Sequence, residues 1–358
     1  MKKNNSFLKS YKDLRVLVTG STGFKGSWLA FWLHQIGAKV TGVALKPEIN
    51  SILFKSFNLD KKIKQYYLDI SNFEKLNKII KKTNPDIIFH LAAQSIVSKS
   101  FNEPLNTFRS NTLGSTNILE SFRLNKVPNL VFITSDKCYL NLNKKNSYKE
   151  TDVLGGIDNY SSSKASAEII FSSYFHSYFA KNKYLSLASA RAGNVVGGGD
   201  MKENRIVPDI IKSLKSNKSL IIRNPKATRP WQHVLEPLSG YLLLGDKLIN
   251  NKLKSSIIPS WNFGPKVKNC KNVEYITKIL LLNWKKSNLK ININHKKKYH
   301  ESKFLSLNIK KAKKELNWEP RLDLKETFRL TAEWYKYYLR NKKIEQFTSE
   351  QIDFFLKR

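Results

Sequence analysis

Short apolar runs alternate along the first half of the chain with longer stretches whose apolar residues recur every three or four positions. Val16–Thr19, Val40–Leu45, Tyr66–Leu68, Asp86–Leu91, Leu130–Thr134 and Leu185–Ala188 read as strands. Between them the helical period predicts Phe24–Ile36, a polar helix around Phe73–Lys82, one over about Pro104–Leu124 and one over about Ser162–Ala180. The strand runs are nearly continuous in apolar residues, as expected where helices cover both faces of a parallel sheet. After Gly197-Gly-Gly199, a turn signal, the pattern is less regular. It predicts a helix over Val207–Leu214, a strand at Leu220–Arg223, a helix over 234–250 and an amphipathic helix over Leu324–Leu339. The tail beyond is expected to be loosely held. There is no internal repeat and no long linker.

Composition changes this picture little. The 358 residues suggest about two domains. Seven Trp, fifteen Tyr and twenty Phe supply core material, which argues against wholesale disorder. Two cysteines, Cys138 and Cys270, exclude a disulfide-rich scaffold and a multi-cysteine zinc cluster. No run of about twenty apolar residues is present and the basic N-terminus has no apolar core, so a cytoplasmic protein with no membrane partner is expected. The net charge of +35 raises the question of nucleic acid. Of the 63 basic residues, however, 52 are Lys and 11 are Arg, whereas readers of bases and phosphates favour arginine forks. The excess is also spread out, and is densest at 266–314, where fifteen lysines meet two acids. This reads as a solvated face, with no nucleic-acid partner expected.

Chemistry enters with Thr19-Gly-Ser-Thr-Gly-Phe-Lys-Gly26, between the first strand and the first helix. Gly20 suits the tight turn, Gly23 the approach of a phosphate, and Gly26 close helix–strand packing, with the helix N-terminus facing a pyrophosphate. In this context the glycines predict a dinucleotide-binding, Rossmann-type doubly wound parallel sheet, and the less regular second half is expected to form a smaller C-terminal α/β substrate domain. Residues 1–188, with returning segments near 234–264, form the first part and 189–358 mainly the second. At the end of the second strand Leu45-Lys46 stands where a ribose-binding acid is expected, which leaves NAD and NADP undecided there. Asp69, after the third strand, is a candidate for the adenine edge.

Tyr160 and Lys164 share a helix face at i and i+4. A lysine beside a phenol lowers its pKa from about 10 toward neutrality, making a base for a sugar hydroxyl. Ser135, Asp136 and Lys137 follow the fifth strand, where a parallel sheet presents its ligand. Ser135 is the expected hydroxyl partner of Tyr160. Asp136 is either an added acid or a turn residue. No clustered acids or histidines suggest a metal.

With these residues in view, the chain resembles the extended short-chain dehydrogenase/reductase superfamily and, within it, the nucleotide-sugar 4,6-dehydratases, above all those acting on CDP-glucose. The resemblance rests on Thr19–Leu29, His90–Gln94, Thr134–Tyr139, Tyr160–Lys164, Ala188–Asp200, Ile222–Pro237 and Trp261–Pro265. The C-terminal Ala312–Trp318 and Thr331–Tyr335 complete it, so coverage runs from about 12 to 340. It implies NAD as cofactor, CDP-glucose as substrate and a homodimer or homotetramer paired through helices 104–124 and 162–180. It implies cofactor contacts from Gly20, Thr22, Gly23, Phe24, Lys25, Gly26, Asp69, Ile70, Leu91, Ala92, Ala93, Gln94, Asn111, Thr134, Tyr160 and Lys164. Substrate contacts are expected from Gln94, Ser135, Asn194, Arg205, Arg223, Arg229 and His233. Arg223 and Arg229 are candidates for the diphosphate, with surface or structural ion pairing as the alternative. His233 is equally a core or hinge residue, and Asn111 equally a helix-interior one. Glu236 and Asn262 are expected to tie returning segments to the first domain. In dTDP-glucose relatives a Glu stands at the position of Lys137, so Lys137 is read as a neutral C5 base or as a charge stabilising the enolate. Ser21 stands where many close relatives carry His. An epimerase of the same superfamily and a non-catalytic NAD-binding regulator are the other readings.

Overall fold

The computed structural model describes residues 5–48, 51–142, 146–284, 289–293, 305–340 and 343–358. Seven strands form one sheet: β1 (Arg15–Thr19), β2 (Lys39–Ala44), β3 (Lys64–Tyr67), β4 (Ile87–His90), β5 (Asn129–Ile133), β6 (Leu187–Ala192) and β7 (Ser260–Phe263). Their order is β7-β6-β5-β4-β1-β2-β3 and every pairing is parallel. Strand order reverses between β1 and β4, so the crevice above their carboxyl ends is the expected ligand site. Strands β4 and β5 are buried along their whole length, which explains their unbroken apolar runs.

The main helices are α1 (Phe24–Gln35), α2 (Phe73–Thr83), α3 (Gly114–Leu124), α4 (Asn159–Tyr174), α5 (Ile206–Ser216), α6 (Leu235–Ile249), α7 (Val273–Trp284), α8 (Leu324–Leu339) and α9 (Ile344–Leu356). Helix α1 buries Trp28, Leu29, Phe31, Trp32 and Leu33 in one continuous core that also takes in α6 and α8. Strand β7 comes from the second half of the chain and pairs with β6, with Trp261 opposite Ala190. Asn262 fixes this return: it accepts from the Tyr139 hydroxyl at 2.8 Å and donates to Tyr148 O at 3.0 Å. Glu236 holds α6 differently from the expected tie to the first domain: it accepts from the amides of Arg321 and Leu322, in the second half of the chain. Three short strand pairs complete the second half: 195–196 with 232–233, 228–230 with 270–272, and 220–222 with 291–293.

Several expected boundaries move. The helix expected over 104–124 is interrupted at Arg109–Leu113 by a wide turn in which Gly114 N donates to Arg109 O. The helix expected from Ser162 starts at Asn159, because Asp158 caps it through the Ser161 amide at 2.9 Å. The tail is not loosely held. Helix α9 buries Ile344, Ile352 and Phe355, and Thr348 accepts from Trp334 Nε1 at 2.9 Å. Its apolar stripe at helical spacing is the reason: exposed, it would forfeit the burial that docks it on α8. Of the lysine-rich stretch 266–314, residues 285–288 and 294–304 lie outside the described residues. Among the described residues no helix is long and apolar enough to cross a membrane, and no group of His, Cys, Asp or Glu could hold a metal ion.

Candidate active site

The glycine loop turns sharply out of β1. Gly20 has φ +72°, and a Cβ there would stand 2.8 Å from Ala92 N in the loop after β4. A Cβ on Gly26 would stand 2.0 Å from Gly20 O, so only glycine lets α1 start this close to the strand. Thr19 Oγ1 gathers the other wall, accepting from the Leu91 and Ala92 amides at 3.1 Å and contacting His90 Nδ1 at 2.8 Å. Thr22 closes on Leu45 O at 3.0 Å, and buried Ser21 donates to Gln65 at 2.8 Å. Gly23 gives α1 no side-chain cap. The first-turn amides, those of Phe24 and Lys25 among them, are thus arranged as a cradle for a dinucleotide diphosphate. These residues fit that group.

Asp69 is exposed beyond β3 and accepts from Ser71 N at 2.8 Å. Ile70 is buried against Gly114, and its carbonyl accepts from Asn117. Lys46 is exposed. Ala93 and Gln94 complete the loop after β4. Gln94 folds its side chain back on Ile96 and Thr107, while its backbone is clamped by Asn111 at 2.7 and 2.9 Å. Asn111, carried inward by the wide turn, also donates to Ser163 Oγ at 2.9 Å. It therefore links the cofactor loop to the helix that bears Tyr160 and Lys164. Such single wide turns recur at functional sites.

Beyond β5, Ser135 caps a short turn, accepting from Lys137 N at 3.2 Å and donating to Asp136 Oδ1 at 2.9 Å. The Tyr160 hydroxyl approaches Ser135, which favours its ionisation. Burial dominates nonetheless and pushes the phenol up to about 12. This corrects the expectation of a phenol brought near neutrality by Lys164. Lys164 is itself buried, and burial lowers it to about 8. Burial also raises the Asp136 carboxyl, against the opposing influence of Lys137, Ser135, Arg229 and Lys25. Asp136 is thus biased toward its protonated form, which a turn residue would not need.

The expected cations Lys25, Arg205 and Arg229 gather around Tyr160 and Asp136. Lys25 reaches the Tyr241 hydroxyl at 3.4 Å, and burial with Lys164 and Arg205 nearby lowers it to about 7. Arg205 pairs with Asp200 at 2.9 Å and donates to Ser95 at 3.1 Å, within range of Tyr160. Buried Arg229 faces Asp136. Asn194 is half-buried after β6, its carbonyl accepting from Gln232 N.

Two expected positions stand apart from these contacts. Arg223 is exposed, its guanidinium donating to Asn204 Oδ1 at 3.2 Å and Asn204 O at 3.0 Å. His233 is not at the cleft surface: it is fully buried, 6.2 Å from the Trp28 ring, and burial lowers it to about 3. It is a neutral core residue, the structural alternative of the two. The Thr134 hydroxyl also turns away from the cleft, to Glu168. That carboxylate is the residue the motifs miss. It takes Arg191 Nη2 at 2.7 Å and Ser189 at 2.5 Å, and it stands one turn beyond Lys164. The spacing 160, 164, 168 along one helix face is the signal that reveals it. Tyr241 carries no such signal.

The model of the GDP-mannose 4,6 dehydratase family matches residues 17–331. A Salmonella typhimurium protein named CDP-glucose 4,6-dehydratase is 41% identical over 339 residues, 93% of each chain. Among solved structures, a dTDP-glucose 4,6-dehydratase from Bacillus anthracis in complex with NAD superposes with a TM-score of 0.76 at 23% identity, covering 93% of this chain and 99% of that one. A UDP-glucose 4-epimerase from Thermotoga maritima with UDP-glucose reaches 0.78 at 23% identity, covering 91% and 100%. At that identity the two structures speak for a shared fold, while the sequence matches run through every segment that builds the site. The chain therefore belongs to the GDP-mannose 4,6 dehydratase family.

Proposed function

We propose that the protein is an NAD-dependent lyase that converts CDP-glucose to CDP-4-dehydro-6-deoxyglucose and water. One observation carries the reading of dehydration: a buried, upward-shifted carboxyl at Asp136 joined to the Tyr160 region through Ser135. An epimerase needs no acid at C6, and a regulator needs no Tyr-Lys pair. The CDP-glucose named for the 41% identical relative supports that substrate.

The glycine-loop cradle would hold NAD, which would supply the hydride acceptor for C4 and, once reduced, the hydride donor for C6. Tyr160 takes the proton of the C4 hydroxyl, with Lys164 and Ser135 favouring the phenolate. The C4 ketone acidifies the C5 proton, which Lys137 removes. Asp136 protonates the C6 hydroxyl, which leaves as water. Lys137 then returns the proton to C5. Lys25, Arg205 and Arg229 give the cleft a field suited to an anionic nucleotide-sugar. Incubation with CDP-glucose is expected to give a product with the alkali-induced ultraviolet absorbance of a 4-ketosugar. A product that is an epimer, with no such absorbance, refutes the reading.

The pairing face of this reading is the layer formed by 97–124 and 159–179, where Leu105, Leu113, Ile169 and Tyr178 are exposed. An apolar surface of this kind supports a homodimer through a second copy of these helices, or a tetramer built from it.

A further inference from the structure

Protons do not balance over one turnover of this reaction. For the reaction to begin, Tyr160 must be a phenolate and Asp136 a carboxylic acid. Tyr160 gains the proton of the C4 hydroxyl, and Asp136 gives one to the oxygen leaving C6. The proton drawn from C5 goes back to C5, and the hydride drawn from C4 ends at C6, so neither of these restores the pair. The site is left with a neutral Tyr160 and an ionised Asp136. One proton must pass from the first to the second before the next sugar can react.

The structure has a direct route. Ser135 Oγ lies between the two groups: it is the hydroxyl that the Tyr160 phenol approaches, and it donates to Asp136 Oδ1 at 2.9 Å. The Lys137 amide holds the same oxygen at 3.2 Å, and the short turn it closes fixes the position of Ser135. Tyr160 is 7% exposed and Asp136 3%, so neither is well placed to exchange with bulk water. Asp136 Oδ2 has no hydrogen-bond partner among the described residues. It faces Gly193, where even a Cβ would come within 3.0 Å.

We propose that Ser135 is an internal proton relay that resets the active site, passing the proton collected by Tyr160 to Asp136. In the reset, the Tyr160 O–H bond breaks as its proton joins Ser135 Oγ. The Ser135 O–H bond breaks as its proton joins Asp136 Oδ1. Phenolate and carboxylic acid are restored, with no change in electrons and no solvent proton consumed. The proton taken from the C4 hydroxyl of one sugar then leaves in the water released from the next.

This inference rests on the dehydratase reading, and its test separates the two. The wild type, Ser135→Ala and Ser135→Thr holoenzymes are mixed with CDP-glucose, and the first turnover and the steady state are timed by rapid quench. In Ser135→Ala, one turnover per site is expected to be followed by a steady state roughly 10²-fold slower than that first turnover. That slow phase should quicken as a small proton carrier such as imidazole is added. Ser135→Thr keeps the hydroxyl and should abolish both effects. If Ser135→Ala slows both phases by the same factor and ignores imidazole, Ser135 only positions Tyr160 and the relay is refuted. A second readout needs no turnover. The infrared carboxyl band of Asp136, identified by its loss in Asp136→Asn, is expected to shift in Ser135→Ala and not in Ser135→Thr. An unmoved band refutes the Ser135–Asp136 link. If wild type makes no 4-ketosugar at all, it is the dehydratase reading that fails, and the infrared arm still reports on the link.

Discussion

Replacing Glu168 by Gln tests whether the carboxylate one turn beyond Lys164, on the helix of Tyr160 and Lys164, has the importance its contacts imply. Glu168 is 1% exposed and pairs with Arg191, itself buried, at 2.7 Å. Burial acts to raise the Glu168 carboxyl, but Arg191 and hydrogen bonds from Arg191, Ser189 and Thr134 outweigh it, so it stays ionised. Gln preserves the shape and can accept from Thr134 and Ser189. It cannot neutralise Arg191, whose remaining contacts are the Tyr139 hydroxyl, Glu150 O and Ser260. Removing one partner of a buried pair costs about 3–5 kcal/mol. With a urea m-value of about 3 kcal/mol/M, the unfolding midpoint should fall by about 1–1.7 M. The double variant Glu168→Gln/Arg191→Met removes the stranded charge and should recover most of that loss. The pH profile gives a second, functional readout. Burial lowers Lys164, and Cys138 and Glu168 hold it up. Without the Glu168 charge, Lys164 loses its proton at lower pH, so the alkaline limb of kcat should move acidward. A midpoint within about 0.3 M of wild type together with an unmoved alkaline limb would refute the reasoning.

Three further outcomes are expected. His90 and His233 are both lowered to about 3 by burial. They stay neutral in the fold while the unfolded chain takes up protons below about 6.5, so stability is full above that pH and falls toward pH 3. The loss per histidine is about 1.4 kcal/mol per pH unit, and acid unfolding of His233→Phe followed by circular dichroism should show a shallower slope. Lys137→Ala should bind NAD as wild type does but lose solvent-deuterium exchange at C5, measured by NMR; normal exchange removes Lys137 from the role of base. Leu105→Glu, on the proposed pairing face where Leu105 is 84% exposed, should reduce the mass measured by light scattering to that of one chain. An unchanged oligomer would move the interface elsewhere.

The β1–loop–α1 unit, the Tyr160–Lys164 pair and the Ser135–Lys137 turn were all legible, because each is local: a few residues whose spacing already sets their mutual geometry. The seven-stranded order was legible only in kind. That β7 comes from residues 260–263 depends on Asn262 meeting Tyr139 and Tyr148 more than a hundred positions away. The same limit left His233 open between cleft and core, until Trp28 is seen to cover it. Helix α9 was missed because its partner, α8, supplies most of the reason for it to be ordered.

Sequence by itself determined the class of sheet, the dinucleotide cradle and the identity of the groups proposed to handle protons, since periodicity, glycine geometry and side-chain chemistry act over a few residues. Only the tertiary structure decided their electrical state. It brought Lys25, Lys137, Lys164, Arg205 and Arg229, each already named from the sequence, together around Asp136 and Tyr160. It also raised Tyr160 and Asp136 where an isolated chain would leave both at their ordinary values. Desolvation is the reason: the cost of keeping a charge depends on everything packed around it, and that surrounding is assembled from segments far apart in the chain.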